Sequence, residues 1–468
     1  MPSSPSSKNS FPITSPIKSL SDFISRDVVA QPSNDLPNKL NTFDSDLDTA
    51  QTGTKVWAFR LDRTCAILGG AIPAGVVFGT TVFELVVGLV GILWIIRQVF
   101  ARTKGLSAVF KNPLVLPWIA FYGCIVISAI ANFRNVNELA ENILFFRYPL
   151  CVIALTDISH RLPVHLYMLK GLIFGVLLAL LNTFMAHLVG FDMIGREVAR
   201  YAGKLKEAGR FSGLAALGGP FLLAWGLSDQ QLKHLQRFIL IGLGLLSLGL
   251  VLQFDIRTVQ LGALAGCFAA LLIFVARRFT WVWAFVIVIL AGCGFVGYIV
   301  VKDPYLGSFY DRIHIWKVAL AIWQENPSVG VSVTGYRDAY REIITAGPLS
   351  RFAVVAPNGV VYDGMVNGTI EITSHAHSLA LMLLSSTGLL GLGGFVWLLT
   401  AGFVRMLKAL SYWRSGLGPW LVAFLVIGVA GYNIYDAWYT TLFVFFTVLI
   451  AVSDSDPVEN IRSHANRP

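Results

Sequence analysis

Residues 378–402 read SLALMLLSSTGLLGLGGFVWLLTAG, twenty-five positions without one charged side chain. At 1.5 Å per residue, a helix of that length reaches about 37 Å, more than the ~30 Å hydrocarbon core of a bilayer. Two further apolar runs follow, at about 417–433 and 437–452. Nine precede it, at about 64–81, 83–100, 113–131, 143–157, 169–190, 211–227, 238–255, 257–276 and 281–301. Twelve spans are therefore expected, in an all-α polytopic membrane protein.

Composition leads to the same class. Of the 468 residues, 55% are hydrophobic and only 13% are Asp, Glu, Lys or Arg. Soluble domains average about 45–50% apolar and about 25% charged, so an ordinary globular enzyme is excluded. The mean hydropathy of +0.66 over the whole length also excludes a single anchor on a large soluble domain. The net charge of +9 invites a nucleic-acid reading, but the cations are scattered between apolar runs rather than gathered in a patch. All five cysteines, Cys65, Cys124, Cys151, Cys267 and Cys293, fall within apolar stretches without paired spacing, so neither a disulfide framework nor a cysteine metal site is indicated.

Residues 1–54 are rich in Ser, Pro, Asn and Asp and lack the apolar core of a cleaved signal peptide, which reads as a disordered tail. The short connections after spans two, four, six, eight and ten carry Arg97, Arg102, Lys104 and Lys111, then Arg161 and Lys170, Lys233 and Arg237, Arg277 and Arg278, and Arg405, Lys408 and Arg414. All lie on the side of the amino-terminal tail, and the positive-inside rule makes that side cytoplasmic. The expected organisation is a cytoplasmic tail at 1–54, spans one to nine within 55–301, an external loop at 302–376, spans ten to twelve within 377–452 and a second cytoplasmic tail at 453–468.

The external loop far exceeds usual connection lengths, and loops of that size are usually functional. Its segment from Tyr310 to Trp323 places aliphatics, Trp316 and Trp323 at helical spacing, so an amphipathic helix on the membrane surface is expected, stopped at Pro327.

Three arginines stand on the outer side, against the usual bias. Arg257 follows Gln253-Phe254-Asp255-Ile256, Arg210 opens span six before Phe211-Ser212-Gly213, and Arg312 begins the loop helix. Each has an ordinary explanation: an interfacial arginine that snorkels or pairs, Arg257 with Asp255, or a solvated helix face. Their shared side supports an anion site instead, because guanidinium forks match phosphate oxygens and stay charged at any relevant pH. His375 and His377 close the loop as Ser374-His375-Ala376-His377-Ser378. A His-x-His pair suits a metal in a strand, whereas on a helix the two directions differ by roughly 200°. A histidine at a wet mouth is also suited to accept a proton from a hydroxyl. The residues alone leave that choice open.

The run His377-Ser378, nine residues, Gly388, four residues, Gly393 resembles the signature of the bacterial O-antigen ligases, within the superfamily of O-antigen ligases and polymerases. Arg257 and Arg312 stand where that family keeps functional arginines, and Arg210 with Gly213 is similar to its Arg-x-x-Gly element. Arg312, Trp316, Pro327 and Gly330 resemble its Arg-x-x-x-Trp and Pro-x-x-Gly pattern. Ser332 stands where a second glycine is common, and Ile256 where a small residue is usual. The resemblance covers roughly residues 60 to 450. It implies a GT-C-like, metal-independent, inverting glycosyltransferase of the bacterial inner membrane with a periplasmic site and no cofactor. The implied donor is O-antigen polysaccharide on undecaprenyl diphosphate, and the acceptor a sugar hydroxyl of the lipid A–core oligosaccharide. His377 would be the base, Arg210, Arg257 and Arg312 the diphosphate ligands, and His375, Trp316 and Asp311 supporting residues.

The residue chemistry agrees with this. A diphosphate is already a good leaving group, so its developing charge needs fixed cations, while the attacking hydroxyl needs alignment and a base. An assisting acid is open among Asp303, Asp311, Asp363 and Glu371, and a monomer is expected. An O-antigen polymerase or a protein O-oligosaccharyltransferase of the same superfamily is the alternative enzyme. An anion transporter is the alternative from another class, disfavoured by the lack of matching repeats and by the long loop.

Overall fold

The computed structural model describes residues 53–101, 109–193, 195, 200–201, 204–205, 209–254, 256–278, 307–346, 348–366, 369–408 and 412–453. The expected tails, the ninth span at 281–301, Cys293, Asp255 and Asp303 lie outside the described residues.

Where water is absent, backbone N–H and C=O groups must bond within their own segment, so the apolar runs become helices. They are α1 (Gly53–Phe78), α2 (Thr80–Ala101), α3 (Val115–Ala131), α4 (Val136–Leu144), α5 (Arg147–Ser159), α6 (Val164–Val189), α7 (Gly209–Ser228), α8 (His234–Leu252) and α9 (Arg257–Arg278). After the loop come α12 (Leu379–Lys408), α13 (Leu417–Ala430) and α14 (Ala437–Ala451). Among the described residues, nine helical segments are long and apolar enough to cross a membrane, α4 and α5 together forming one of them, Val136–Ser159. The apolar helices α3 and α14 are shorter. Among the described residues, strand is confined to two-residue antiparallel hairpins, β1 (Arg200–Tyr201) with β2 (Lys204–Leu205), β3 (Val354–Val355) with β4 (Val361–Tyr362), and β5 (Met365–Val366) with β6 (Thr369–Ile370).

Several spans begin earlier than the hydropathy suggests, two of them by more than five residues. The first helix starts at Gly53 rather than near residue 64, because its early polar residue Asp62 is buried against Arg97 and Arg161. The fourth starts at Val136 rather than 143, because the Asn135 side chain caps it by accepting the Glu138 N–H at 2.9 Å. Helices α1 and α6 approach closely where Gly70 meets Gly171 and Pro73 meets Gly175, the small-residue packing expected in lipid.

At the bundle centre stands α14. Every residue from Trp438 to Ala451 is buried, as expected of a helix apolar on all sides. The Tyr439 hydroxyl donates to the Phe424 carbonyl, which places the start of α14 beside the middle of α13. Since α13 continues six residues further to Ala430, about 9 Å of rise, the connection Gly431–Asp436 turns back down into the bundle.

The opposite end of the bundle is closed by a buried charge cluster. Arg161 donates to Asp62 and Asp157 at 2.8 Å each, Arg97 pairs with Asp62 at 3.1 Å, and Trp94 and Gln98 donate to Asp157 at 2.9 and 2.8 Å. Arg97 and Arg161, counted above as topology signals, are therefore both ion-paired, Arg97 buried and Arg161 half-buried.

The loop forms a small core of its own. Helix α10 (Gly307–Glu325) buries Ile315, Val318, Ala319 and Ile322 against Tyr336 and Tyr340 of α11 (Tyr336–Thr345), Phe352, Ala376 and Met382. The helix expected at 310–323 is thus present, but its apolar stripe is covered by protein rather than left for a membrane surface. From Arg312 it runs beside the first turns of α12, and the turn after it inserts into a break in that helix.

At the break Gly388 has φ 65° and ψ −164°. Leu389 N donates to Pro327 O at 2.9 Å, Val331 N to Ser385 O at 3.0 Å and Leu390 N to Ser328 O at 3.2 Å. A Cβ on Gly388 would strike the Ser328 backbone, and one on Gly330, at φ 65°, the Ser386 backbone. From α3, Ser128 donates to Ser386 O at 2.8 Å, and the following Asn132 donates to Gly330 O at 2.9 Å. Ser332, at φ 71°, is left-handed too; its hydroxyl accepts the Gly335 N–H at 3.0 Å.

Gly388→Ala is expected to destabilise the protein by about 2 kcal/mol or more, combining left-handed strain with a backbone collision. Gly393→Ala, whose Cβ meets nothing within 4 Å, is expected to be near neutral. Thermal unfolding of both variants in detergent checks the contrast; equal melting temperatures would refute the role given to the break.

Candidate functional site

Three chain segments far apart in sequence meet at the end of the bundle away from the Asp62 cluster. Arg257 is the first residue of α9, Arg312 lies in the second turn of α10, and His377 stands two residues before α12. Burial of Arg312 and the Arg257 charge beside it both work against its own charge, while Asp311 and Tyr432 oppose that effect. Two half-buried guanidinium groups are thus held as electrostatic neighbours.

His377 carries two marks of a constrained position. Its φ is 49°, in the left-handed region where non-glycine residues are uncommon. Its imidazole is pushed down to about 4, first by burial, then by His375 and Arg312, while a hydrogen bond to the Gly431 backbone opposes the shift. At neutral pH the ring is therefore uncharged. With one nitrogen engaged at Gly431, the other is available as a proton acceptor. The His375 ring lies 4.1 Å away at 59°, and its Nδ1 is 3.1 Å from the Ser374 hydroxyl.

The floor is the returning connection between α13 and α14. Gly431 is fitted against Thr258 of α9 and bonds His377. Tyr432 packs edge-on against Trp438 at 4.6 Å, and its charge state acts on Arg312. Burial first, and Asp436 second, push its phenol up to about 12, so it keeps its proton. The Asp436 carboxylate accepts from Asn433 N and Nδ2 at 3.1 Å each, and Asn433 Oδ1 accepts the Tyr435 N–H at 2.7 Å. Burial pushes the Asp436 carboxyl up, opposed by Asn433 and His375.

The remaining expected residues are placed differently. Arg210 is at the same end, since Gly213 one turn later packs on the Trp438 ring, and its guanidinium reaches Thr80 Oγ1 at 3.4 Å, beside the tight reversal at Gly79. Trp316 packs edge-on against Phe309 at 6.1 Å. Asp311 acts electrostatically on both Arg312 and Tyr340. Asp363 accepts the Met365 N–H at 3.0 Å in a turn, and the Glu371 charge acts on Tyr340.

Tyr432 and Asp436 were missed by sequence reading because the eleventh span was extended to residue 433. The available signal was the run Gly431-Tyr432-Asn433-Ile434-Tyr435-Asp436, too polar for a lipid-facing segment. Chemically, the arrangement offers paired cations for an anion beside a neutral base. No protein-family model and no curated protein matches this chain.

Replacing Arg312 by Gln removes a positive neighbour, which favours imidazolium, so the His377 titration should move upward. Histidine-selective NMR, assigned against His377→Gln, measures it. An unchanged titration would show that Arg312 does not face the ring.

Proposed function

We propose that this protein is an O-antigen ligase, a glycosyltransferase of the bacterial inner membrane. It would transfer O-antigen polysaccharide from undecaprenyl diphosphate to a sugar hydroxyl of the lipid A–core oligosaccharide. The observation that carries the reading is the meeting of Arg257 and Arg312 beside a neutral His377. The resemblance of His377-Ser378, Gly388 and Gly393 to the ligase signature supports the same reading, with the site on the periplasmic side and both termini cytoplasmic.

In this mechanism Arg257 and Arg312 grip the diphosphate of the donor, and Arg210 contributes from the edge. The acceptor hydroxyl oxygen bonds to the anomeric carbon as the bond from that carbon to the diphosphate oxygen breaks. The electron pair leaves with undecaprenyl diphosphate, and the hydroxyl proton passes to His377. Displacement from the opposite face inverts the anomeric centre. Fixed guanidinium groups serve here because charge accumulates on the leaving group in the transition state. Bound diphosphate also neutralises the positive surroundings of His377, so its basicity rises when the donor is in place. Both substrates are lipids, which accounts for a catalyst built almost entirely of apolar helices.

Reconstitution with lipid-linked O-antigen and lipid A–core is expected to yield full lipopolysaccharide, and His377→Ala or Arg257→Ala to lower transfer by about 100-fold or more. The rate should fall as pH drops toward about 4, where protonation removes the base, and at higher pH to the extent that bound donor raises the basicity of His377. Elongation of the lipid-linked donor without transfer to the core would make the protein a polymerase. Unimpaired transfer by either variant would remove this mechanism.

A further inference from the structure

The connection from α13 to α14 is fastened to α12 at three places. Just before it, Gly428 of α13 is pressed on Leu379, two residues after His377; a Cβ there would stand 3.1 Å from Leu379 Cβ. Gly431 then bonds His377, and because that bond favours the charged ring, an imidazole N–H donates to the Gly431 carbonyl. Further on, Tyr435 reaches Thr387, the residue before the break at Gly388, with 3.2 Å between the two hydroxyl oxygens. The Thr387 hydroxyl gives its one hydrogen to Leu383 O at 2.9 Å, so in this pair the phenol donates and the threonine accepts.

Tyr435 is placed to join separate bodies. It packs on both the bundle core and the small core of the loop, and its ring meets Phe145, between α4 and α5, edge-on at 6.1 Å. Its place on the connection is set locally: Asn433 Oδ1 accepts the Tyr435 N–H at 2.7 Å, and Asp436 accepts from Asn433 N and Nδ2 at 3.1 Å each. His377, at φ 49°, holds a backbone conformation that persists only where the surroundings over-determine it. A closed circuit supplies that constraint. It runs from His377 along α12 to Thr387, across the hydrogen bond to Tyr435, and back along the connection to Gly431.

We propose that Tyr435 is a positioning residue for His377: its O–H to Thr387 locks the Gly431–Asp436 connection to the break in α12, and so keeps the imidazole in one tautomer with the same nitrogen always free. This assignment rests on the reading of His377 as the base of the proposed transfer. The hydroxyl matters because an aromatic ring alone can slide along apolar neighbours, whereas a hydrogen bond fixes distance and direction.

The test follows transfer kinetics of the full chain in lipid nanodiscs together with the nitrogen NMR shifts of the His377 ring at neutral pH, assigned against His377→Gln. The parent should show one protonated and one bare ring nitrogen. Tyr435→Phe keeps the ring against Phe145 and removes only the hydroxyl. It should melt within a few degrees of the parent, lower kcat between about 10- and 100-fold with KM for the lipid donor unchanged, and show averaged ring nitrogens. Thr387→Val removes the acceptor from the other side and should do the same, while Thr387→Ser should keep the parent's values. The double variant Tyr435→Phe, Thr387→Val should be no worse than either single change. Parent kcat and parent ring shifts in both Tyr435→Phe and Thr387→Val would overturn the role of Tyr435 and leave the proposed function standing. A parent that transfers no glycan would overturn the proposed function alone; averaged ring nitrogens in the two variants would then still support the positioning role, and unchanged ones overturn it.

Discussion

The crossing of two backbones at Gly330 and Gly388 is the constraint on which the geometry of the candidate site depends. Three hydrogen bonds join the turn after α10 to the break in α12, at distances possible only where neither chain carries a Cβ at the crossing. Because α10 and the first turns of α12 both run outward from this joint, it fixes one against the other. Arg312 is fifteen residues up α10 from Pro327, and His377 eleven residues up the chain from Gly388, so a rigid joint sets the separation of base and cation at a distance. The Ser128 and Asn132 side chains fasten the same joint to α3, which ties the loop's small core to the bundle.

The second determinant is the short, fully enclosed α14. A helix that faces lipid must match the bilayer, but one enclosed by protein need not. With α14 beginning well below the end of α13, the connection between them descends, and its Gly431 meets His377. Packing at the core thus decides the floor of the site: stacks among Trp420, Phe424, Phe443 and Phe446 hold α13 against α14.

Much of this was legible in the sequence, for identifiable reasons. Apolar runs are long-range averages and survive local exceptions, so eleven of the expected spans correspond to described apolar helices or helix pairs. Their ends were misplaced where a polar residue is satisfied by a distant partner, as Asp62 is by Arg97 and Arg161, since hydropathy has no access to such pairing. The grouping of Arg257, Arg312 and His377 was readable because Arg257 and His377 each open a span on one side and Arg312 opens the loop helix between them. What could not be read was the return of residues 431–436, which depends on the depth of α14, and the burial of the α10 stripe, which depends on a loop core assembled from residues 315 to 382. Periodicity shows that a helix has an apolar face; it does not show what covers that face.

The two ends of the bundle use arginine in different ways, and the contrast bears on the role proposed for one of them. At the first, Arg97 and Arg161 are matched by Asp62 and Asp157, with Trp94 and Gln98 adding donors, so the charges balance. Removing one partner there would strand a buried charge, at about 3–5 kcal/mol. At the second, burial and the Arg257 charge both work against the charge of Arg312, and the nearby histidine is neutral because of its surroundings. Under the proposed function, an anion bound beside Arg312 would offset one of the charges that hold the His377 imidazole down, so its basicity would rise as the anion binds. Binding of the proposed leaving group and strengthening of the proposed base would then be one electrostatic change.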